Sequence, residues 1–229
     1  MPARSSERKS RDAASENIED YLKSIYKLQE SAGKVSTSSL SESLGVSPPS
    51  VTEMIKKLAE AGILTYTPYK GVVLTDEGRR RALKILRRHR LWELFLVQVL
   101  HYPWHEIHDE ADRLEHLTSE KLERRIDERL GYPRKDPHGD VIPRTDGSIE
   151  EVEYRALASV PSGETVTVAR VNDANSQVLQ YATRLGIGLN KRIRVKEHIG
   201  FDGSLRVEIG RKEQFVSAKL AENIFVEGQ

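Results

Sequence analysis

The chain has 229 residues, with 36 Lys and Arg against 35 Asp and Glu, a net charge of +1 and no cysteine. This length can bury a core and form roughly one to three domains, and the lack of cysteine excludes disulfides and thiolate metal sites. With charge so nearly balanced, any nucleic-acid surface must come from local clustering of basic residues.

No apolar run approaches the ~20 residues needed to cross a bilayer, and the polar stretch 1–17 does not have the pattern of a signal peptide, so a cytoplasmic protein is expected. The leader is basic and Ser-rich, with Arg4, Arg8, Lys9 and Arg11, and residues 1–15 are expected to be disordered. From there the apolar residues Ile18, Tyr21, Leu22, Ile25 and Tyr26 form a helical stripe. Val35 to Leu44 predicts a short second helix, with Ser36 as cap and Gly45 as stop. After the turn Val46-Ser47-Pro48, a third helix runs from Pro49 to Ala61 with Val51, Met54, Ile55 and Leu58 facing inward. Ile63 to Tyr66 and Val72 to Thr75 then alternate as two strands.

Three helices followed by a hairpin is the order of a winged helix-turn-helix. Ser47, Pro49, Ser50 and Thr52 open the third helix, where small hydroxylated residues suit phosphate and base-edge contacts in a major groove. Lys56 adds charge on that helix and Lys70 at the hairpin tip can reach a phosphate. The bland alternative is a small helical domain with polar caps and solvated lysines.

Asp76 to Leu100 predicts a long basic helix whose stripe holds Ala82, Ile85, Leu86, Leu96, Val97 and Leu100. A further helix is expected from near Pro103 through His116, and another from Ser119 to Leu130. These segments carry more apolar face than one small wing domain covers, which implies a helical homodimer interface. Composition changes at Asp136, where Asp-Pro-His-Gly-Asp-Val-Ile-Pro-Arg-Thr-Asp-Gly has the character of a linker, here taken as 136–160. Beyond it, Thr165 to Val171, Arg192 to Lys196 and Leu205 to Ile209 alternate as strands, with a helix from Ser176 to Leu185. An SH3-like barrel over 161–229 is the simplest reading. The expected fold is thus mainly α with a C-terminal β module: winged helix-turn-helix (1–75), helical domain (76–135) and SH3-like domain.

Residues 105–116, His-Glu-Ile-His-Asp-Glu-Ala-Asp-Arg-Leu-Glu-His, place three histidines and five carboxylates in twelve positions. On one helix Asp112, Glu115 and His116 fall at about 40°, −20° and 80° from His108, so the four share a face. Asp109 and Glu110 point elsewhere. His89 and Glu93 are four apart within the apolar stripe of the preceding helix, where an unpaired charge costs several kcal/mol. A divalent cation shared with His108 would satisfy them; a metal-free His–Glu hydrogen bond is the alternative. Carboxylate and imidazole donors without sulfur suit Mn²⁺ or Fe²⁺, and zinc also accepts them.

The order of elements, with Glu19-Asp20-Tyr21-Leu22, His89-Arg90-Leu91-Trp92-Glu93 and His108-Asp-Glu-Ala-Asp-Arg-Leu-Glu-His116, resembles the diphtheria-toxin repressor family of metal-dependent transcriptional regulators. The resemblance runs from Ser15 through nearly the whole chain. It implies operator DNA as partner, a helical dimerisation domain and a FeoA-like C-terminal domain. It further implies repression of metal-uptake genes when Mn(II) or Fe(II) is plentiful, with two ions per protomer.

By position, one family site would use Asp20, Asp112, Glu115 and His116, and an ancillary site His89, Glu93 and His108. Asp20 lies opposite the apolar stripe of the first helix, which leaves it available for capture. The toxin repressor itself carries methionine where Asp20 stands and cysteine where Asp112 stands. The manganese-responsive branch carries glutamate at the position of Lys23, where a charged lysine cannot ligate; this argues against a closely spaced ion pair. In the iron-responsive branch the SH3-like domain also supplies ligands, and alignment puts Asp173 near one of them and Arg170 near the other.

A metal that binds the DNA-competent conformation better shifts the population towards it, and without the ion carboxylate repulsion is expected to loosen the first helix. No catalytic chemistry is required. Two rival readings are a winged-helix regulator of an organic ligand, which would bind operator without metal, and a metal-dependent hydrolase, which would need an open coordination position in a substrate cleft.

Overall fold

The computed structural model describes residues 3–68 and 70–227, the side chains of residues 3–14, 31 and 32 excepted. The chain forms two compact units: residues 1–89, 115–118 and 143–149, and residues 90–114, 119–142 and 150–229.

In the first unit, α1 (Ala3–Ala32) takes in most of the leader expected to be disordered. The segment has no Pro or Gly between Pro2 and Gly33, and its Ala, Arg, Lys and Glu residues favour helix. α2 (Thr37–Leu44) opens on Ser36, whose side chain accepts from Ser39 N in a capping box, and ends at Gly45 in the left-handed conformation. α3 (Pro48–Glu60) is capped by Ser47 and starts one residue earlier than the sequence suggested, since proline suits the first helical position. β1 (Leu64–Thr67) and β2 (Gly71–Leu74) pair antiparallel, Leu64 opposite Leu74, to make the wing. Val35 adds a bridge to the hairpin, Val72 N donating to Val35 O at 2.9 Å. Leu22, Ile25, Leu40, Val51, Ile55, Val72 and Leu83 fill one core. The expected inward face of each helix is therefore the buried one.

α4 (Asp76–Gln98) runs through both units. In the second unit, α5 (His108–Glu115) starts five residues after Pro103, later than the pattern suggested. α6 (Glu120–Arg129) has Ser119 as its N-cap. Leu91, Leu94, Ile126 and Ile142 make one small core, and Leu96, Ile107 and Ala111 another.

The β module begins earlier than residue 161, with β3 (Arg155–Ala156), and continues through β4 (Thr165–Val171), α7 (Ser176–Arg184), β5 (Arg192–His198), β6 (Leu205–Ile209), β7 (Lys212–Val216), α8 (Ala218–Ala221) and β8 (Ile224–Glu227). The sheet order is β3-β8-β4-β5-β6-β7, antiparallel throughout. A register shift between Val168 and Arg170 resets the alternation of β4, so Val168 and Val171 both point into the core. Arg170 is left beside the sheet, where its guanidinium covers the Phe225 ring at 4.7 Å.

The Pro/Gly-rich segment after Lys135 is packed, not a free linker. One carboxylate oxygen of Asp136 accepts from His138 N (2.8 Å) and Asp140 N (2.9 Å), and Val171 N donates to His138 O at 2.9 Å. Gly139 has φ +95°, and a Cβ there would overlap the carbonyl oxygen of Ala169. Gly139→Ala should therefore destabilise the second unit by roughly 3 kcal/mol or more. Urea melts check this; a loss below about 1 kcal/mol would mean that the loop yields readily.

Candidate metal centre

Within the first unit, Lys23 lies four residues after Glu19 and three after Asp20 on α1 and so shares a face with both. That face meets the end of α5. His116 Nδ1 donates to Glu19 Oε2 at 2.8 Å and Nε2 donates to Asp20 Oδ1 at 3.0 Å. A carboxylate on each ring nitrogen requires both nitrogens to carry a proton, so the ring is an imidazolium. The Asp20 hydrogen bond and then the Glu19 hydrogen bond hold its pKa up at about 10, against the opposing effect of burial. Glu115 is wholly buried; its Oε1 accepts from Lys23 Nζ at 2.5 Å and its Oε2 from His89 Nδ1 at 2.6 Å.

Two expectations change. His116 is not on the helix with Glu115, because α5 ends at Glu115 and His116 reaches α1 from the following turn. Nor do the metal-free carboxylates repel one another unrelieved: Lys23 and the His116 imidazolium stand between them.

In the second unit a separate group gathers around Glu93, which is also wholly buried. His108 Nδ1 lies 3.3 Å from Glu93 Oε1, and His138 Nδ1 lies 4.0 Å from Oε2. Asp112 Oδ2 is 3.8 Å from His108 Nε2. Asp136 and His138 are buried at 3% and 1% exposure, and the donor atoms of Glu93, Asp136 and His138 all lie within 4.8 Å of one another. Burial, then the charges of Asp140 and Glu93, push the Asp136 carboxyl up to about 7, while Arg90 opposes them. Burial pulls His138 down, but Glu93, Asp136 and Asp173 outweigh it and leave the pKa raised. Asp173 lines a cavity of about 260 Å³ with His108 and His138. Arg170 is not placed as a ligand: its Nε donates to Asp140 Oδ1 at 2.9 Å.

The donors present fit a divalent cation. His138 Nδ1 is buried and makes no hydrogen bond among the described residues, as a donor shaped for an ion would; Asp136 Oδ2 also makes none, although Arg90 Nε stands 3.5 Å from it. Carboxylate and imidazole match Mn²⁺ or Fe²⁺ in hardness. Asp136 and His138 were missed because they sit in a segment whose Pro and Gly content marks a connection. The signal was a histidine two residues after an aspartate that can cap its own turn.

At the candidate DNA surface, Ser47, Pro49, Ser50, Lys56 and Lys70 are exposed and Thr52 is half-buried. Ser47 and Ser50 share a hydroxyl hydrogen bond at 2.9 Å, and Thr52 Oγ1 donates to Pro48 O at 2.9 Å. Lys57 is paired with Glu53 at 2.8 Å, an exposed carboxylate on the same helix that sequence reasoning passed over.

Three family models match successive segments. The iron dependent repressor N-terminal DNA binding domain matches residues 14–72, the iron dependent repressor metal binding and dimerisation domain residues 75–144, and the FeoA domain residues 155–228. The iron-dependent repressor IdeR of Mycobacterium leprae is 32% identical over 79% of this chain and 84% of its own length. A solved manganese-dependent transcriptional repressor in complex with manganese is 45% identical, with a TM-score of 0.87 over 93% of this chain and 100% of the other. The manganese regulator SloR superposes with a TM-score of 0.76 at 35% identity, covering 93% of this chain and 98% of its own. With a winged DNA-binding domain, a helical domain with buried carboxylates and imidazoles and an SH3-like FeoA domain in this order, the chain belongs to the iron-dependent repressor family of metal-dependent transcriptional regulators.

Proposed function

We propose that the chain is a homodimeric repressor that holds a palindromic operator when Mn(II) or Fe(II) is bound and thereby controls metal-uptake genes. The observation that carries this reading is the convergence of Asp20, Glu115 and His116, whose donor atoms lie within 4.8 Å of one another. Asp20 belongs to the first helix of the DNA-binding domain, whereas Glu115 and His116 follow from the helical domain. An ion there joins the two in one arrangement, and differential binding of that ion biases the arrangement.

The proposed ligands are Asp20, Asp112, Glu115 and His116 for one ion and His89, Glu93 and His108 for a second, with Asp136 and His138 as further donors beside Glu93. Manganese is supported by the 45%-identical manganese repressor and iron by the iron-dependent relative. Ser47, Pro49, Ser50 and Thr52 at the start of α3 are the proposed base-edge and phosphate contacts, with Lys56 and Lys70 on the backbone. Leu100, Leu122 and Tyr132 remain exposed at 52%, 42% and 68% in the second unit, as a dimer face requires. Dimerisation then sets two recognition helices at the ~34 Å spacing of successive major grooves. The work is regulation, not catalysis, and among the described residues no helix is long and apolar enough to cross a membrane.

DNA binding should appear with Mn²⁺ or Fe²⁺ and disappear with EDTA in fluorescence titrations on a candidate operator. Equal affinity in excess chelator would favour the organic-ligand reading.

Asp20 is half-exposed, so Asp20→Asn should spare the fold while weakening metal-stimulated DNA binding about tenfold or more. Asp109→Asn, on the exposed side of α5, should leave binding unchanged. If the two variants lose binding equally, the assignment of the ligand face is wrong.

The metal-free protein should also lose stability with rising pH. The pKa of His116 is raised in the folded state, from 6.5 to about 10, so its contribution is complete below 6.5 and is lost as pH rises through the folded value. Thermal melts in chelator should show the midpoint falling between pH 6.5 and 10, with His116→Gln flattening this part of the profile. An unchanged slope in the variant would assign the dependence to other groups.

A further inference from the structure

The oxygen of Glu115 nearest the other two ligands already holds a cation. Glu115 Oε1 is 3.6 Å from His116 Nε2, which in turn is 3.0 Å from Asp20 Oδ1. The same Oε1 accepts from the Lys23 ammonium at 2.5 Å. Lys23 is not a surface lysine that happens to fall nearby: its side chain is 11% exposed and that of Glu115 is fully enclosed. α1 sets its approach, because Lys23 lies one turn beyond Glu19 and Asp20 and so points from the same face. Tyr21 and Leu22 on the opposite side are buried and fix the rotation of the helix.

We propose that Lys23 is a tethered internal cation that occupies the Glu115 oxygen in the metal-free protein and must be displaced before a divalent ion can be ligated there. The inference rests on the metal-sensor reading and adds to it a residue that sets the metal threshold. A buried carboxylate with no positive partner is costly, so the ammonium keeps Glu115 oriented and in place while the ion is absent. The same ammonium then opposes the ion in two ways: it fills the coordination position on Oε1, and it repels a second positive charge at short range in a poorly screened environment. Its four-carbon stem allows the head to swing out, as a fixed guanidinium fork would do less readily. Lys23 thus weakens apparent affinity and raises the concentration at which the protein responds. It acts through Glu115 and is a positioning residue, not a ligand.

The two effects have opposite signs, which a purely structural lysine does not produce. Lys23→Gln keeps a hydrogen-bond donor for Glu115 but removes the charge. Titrated directly with Mn²⁺ by calorimetry, this variant of the full-length chain should bind about tenfold more tightly than the unsubstituted protein. In chelator its thermal midpoint should be lower, so the rise in midpoint on adding Mn²⁺ should be larger. Lys23→Arg, which retains the charge, should stay within about threefold of the native affinity, because the repulsion remains. Lys23→Met serves as a second neutral variant should the glutamine form fold poorly. If the unsubstituted chain binds neither Mn²⁺ nor Fe²⁺, the sensor reading fails and this inference fails with it. If the unsubstituted chain binds and both neutral variants bind equally or more weakly, the inference about Lys23 alone is overturned.

Discussion

A carboxylate with no access to water must find positive charge or hydrogen-bond donors within the protein, and the first unit is arranged around that requirement at Glu115. Lys23 comes from α1, His89 from α4 and Glu115 itself from the last residue of α5. The contact ties three helices at one point that is polar, not greasy. It also explains why Glu19, Asp20 and Lys23 occupy the face of α1 opposite Tyr21, Leu22 and Ile25. One side of the helix is held by apolar packing of the winged domain, and the other by charge.

The second unit repeats the principle with a different balance. Glu93 is as deeply buried as Glu115, but it faces two histidines and a second carboxylate, with Arg90 one turn earlier held by Asp136 and Asp140. Burial first, and then the neighbouring charges of Asp140 and Glu93, drive the Asp136 carboxyl up to about 7. The loop that delivers Asp136 and His138 is fixed by its own turn hydrogen bonds and by the pairing of His138 O with β4. Its rigidity matters because the imidazole of His138 also donates through Nε2 to Trp104 O at 2.8 Å, which orients Nδ1 towards Glu93.

What the sequence made legible was local. Ser36 caps α2 and Gly45 ends it, and the alternating apolar residues of β4 and β6 face a core, because these features depend on near neighbours. The carboxylates and histidines of 105–116 stood out as candidate ligands by their density, and Glu93 by its place in an apolar stripe. What escaped was set by contacts distant in sequence. α5 begins only at His108, since Ile107 is drawn fully into a core with Leu96 and the preceding turn serves that packing. The 100° rule therefore misplaced His116, which stands one residue past the helix. Asp136 and His138 were hidden because Pro and Gly dominate their segment, and it takes the approach of β4, to Gly139 and to His138 O, to reveal that the loop is packed.

The metal-free site bears on how switching works. If the ion only relieved repulsion between bare carboxylates, the unliganded form would be strained and the energy difference between states large. Instead the imidazolium of His116 and the ammonium of Lys23 already satisfy Asp20, Glu19 and Glu115. On the proposed ligand set, binding an ion would be an exchange of cations: a divalent charge in the middle of the cluster for a proton and an ammonium at its edges. The net effect of such an exchange is a difference between two sets of attractions, not the relief of bare repulsion. The free concentration of metal then acts on that balance through mass action. On that reading the internal cations compete with the ion for the same oxygens, and the competition sets how much metal is needed to shift the balance.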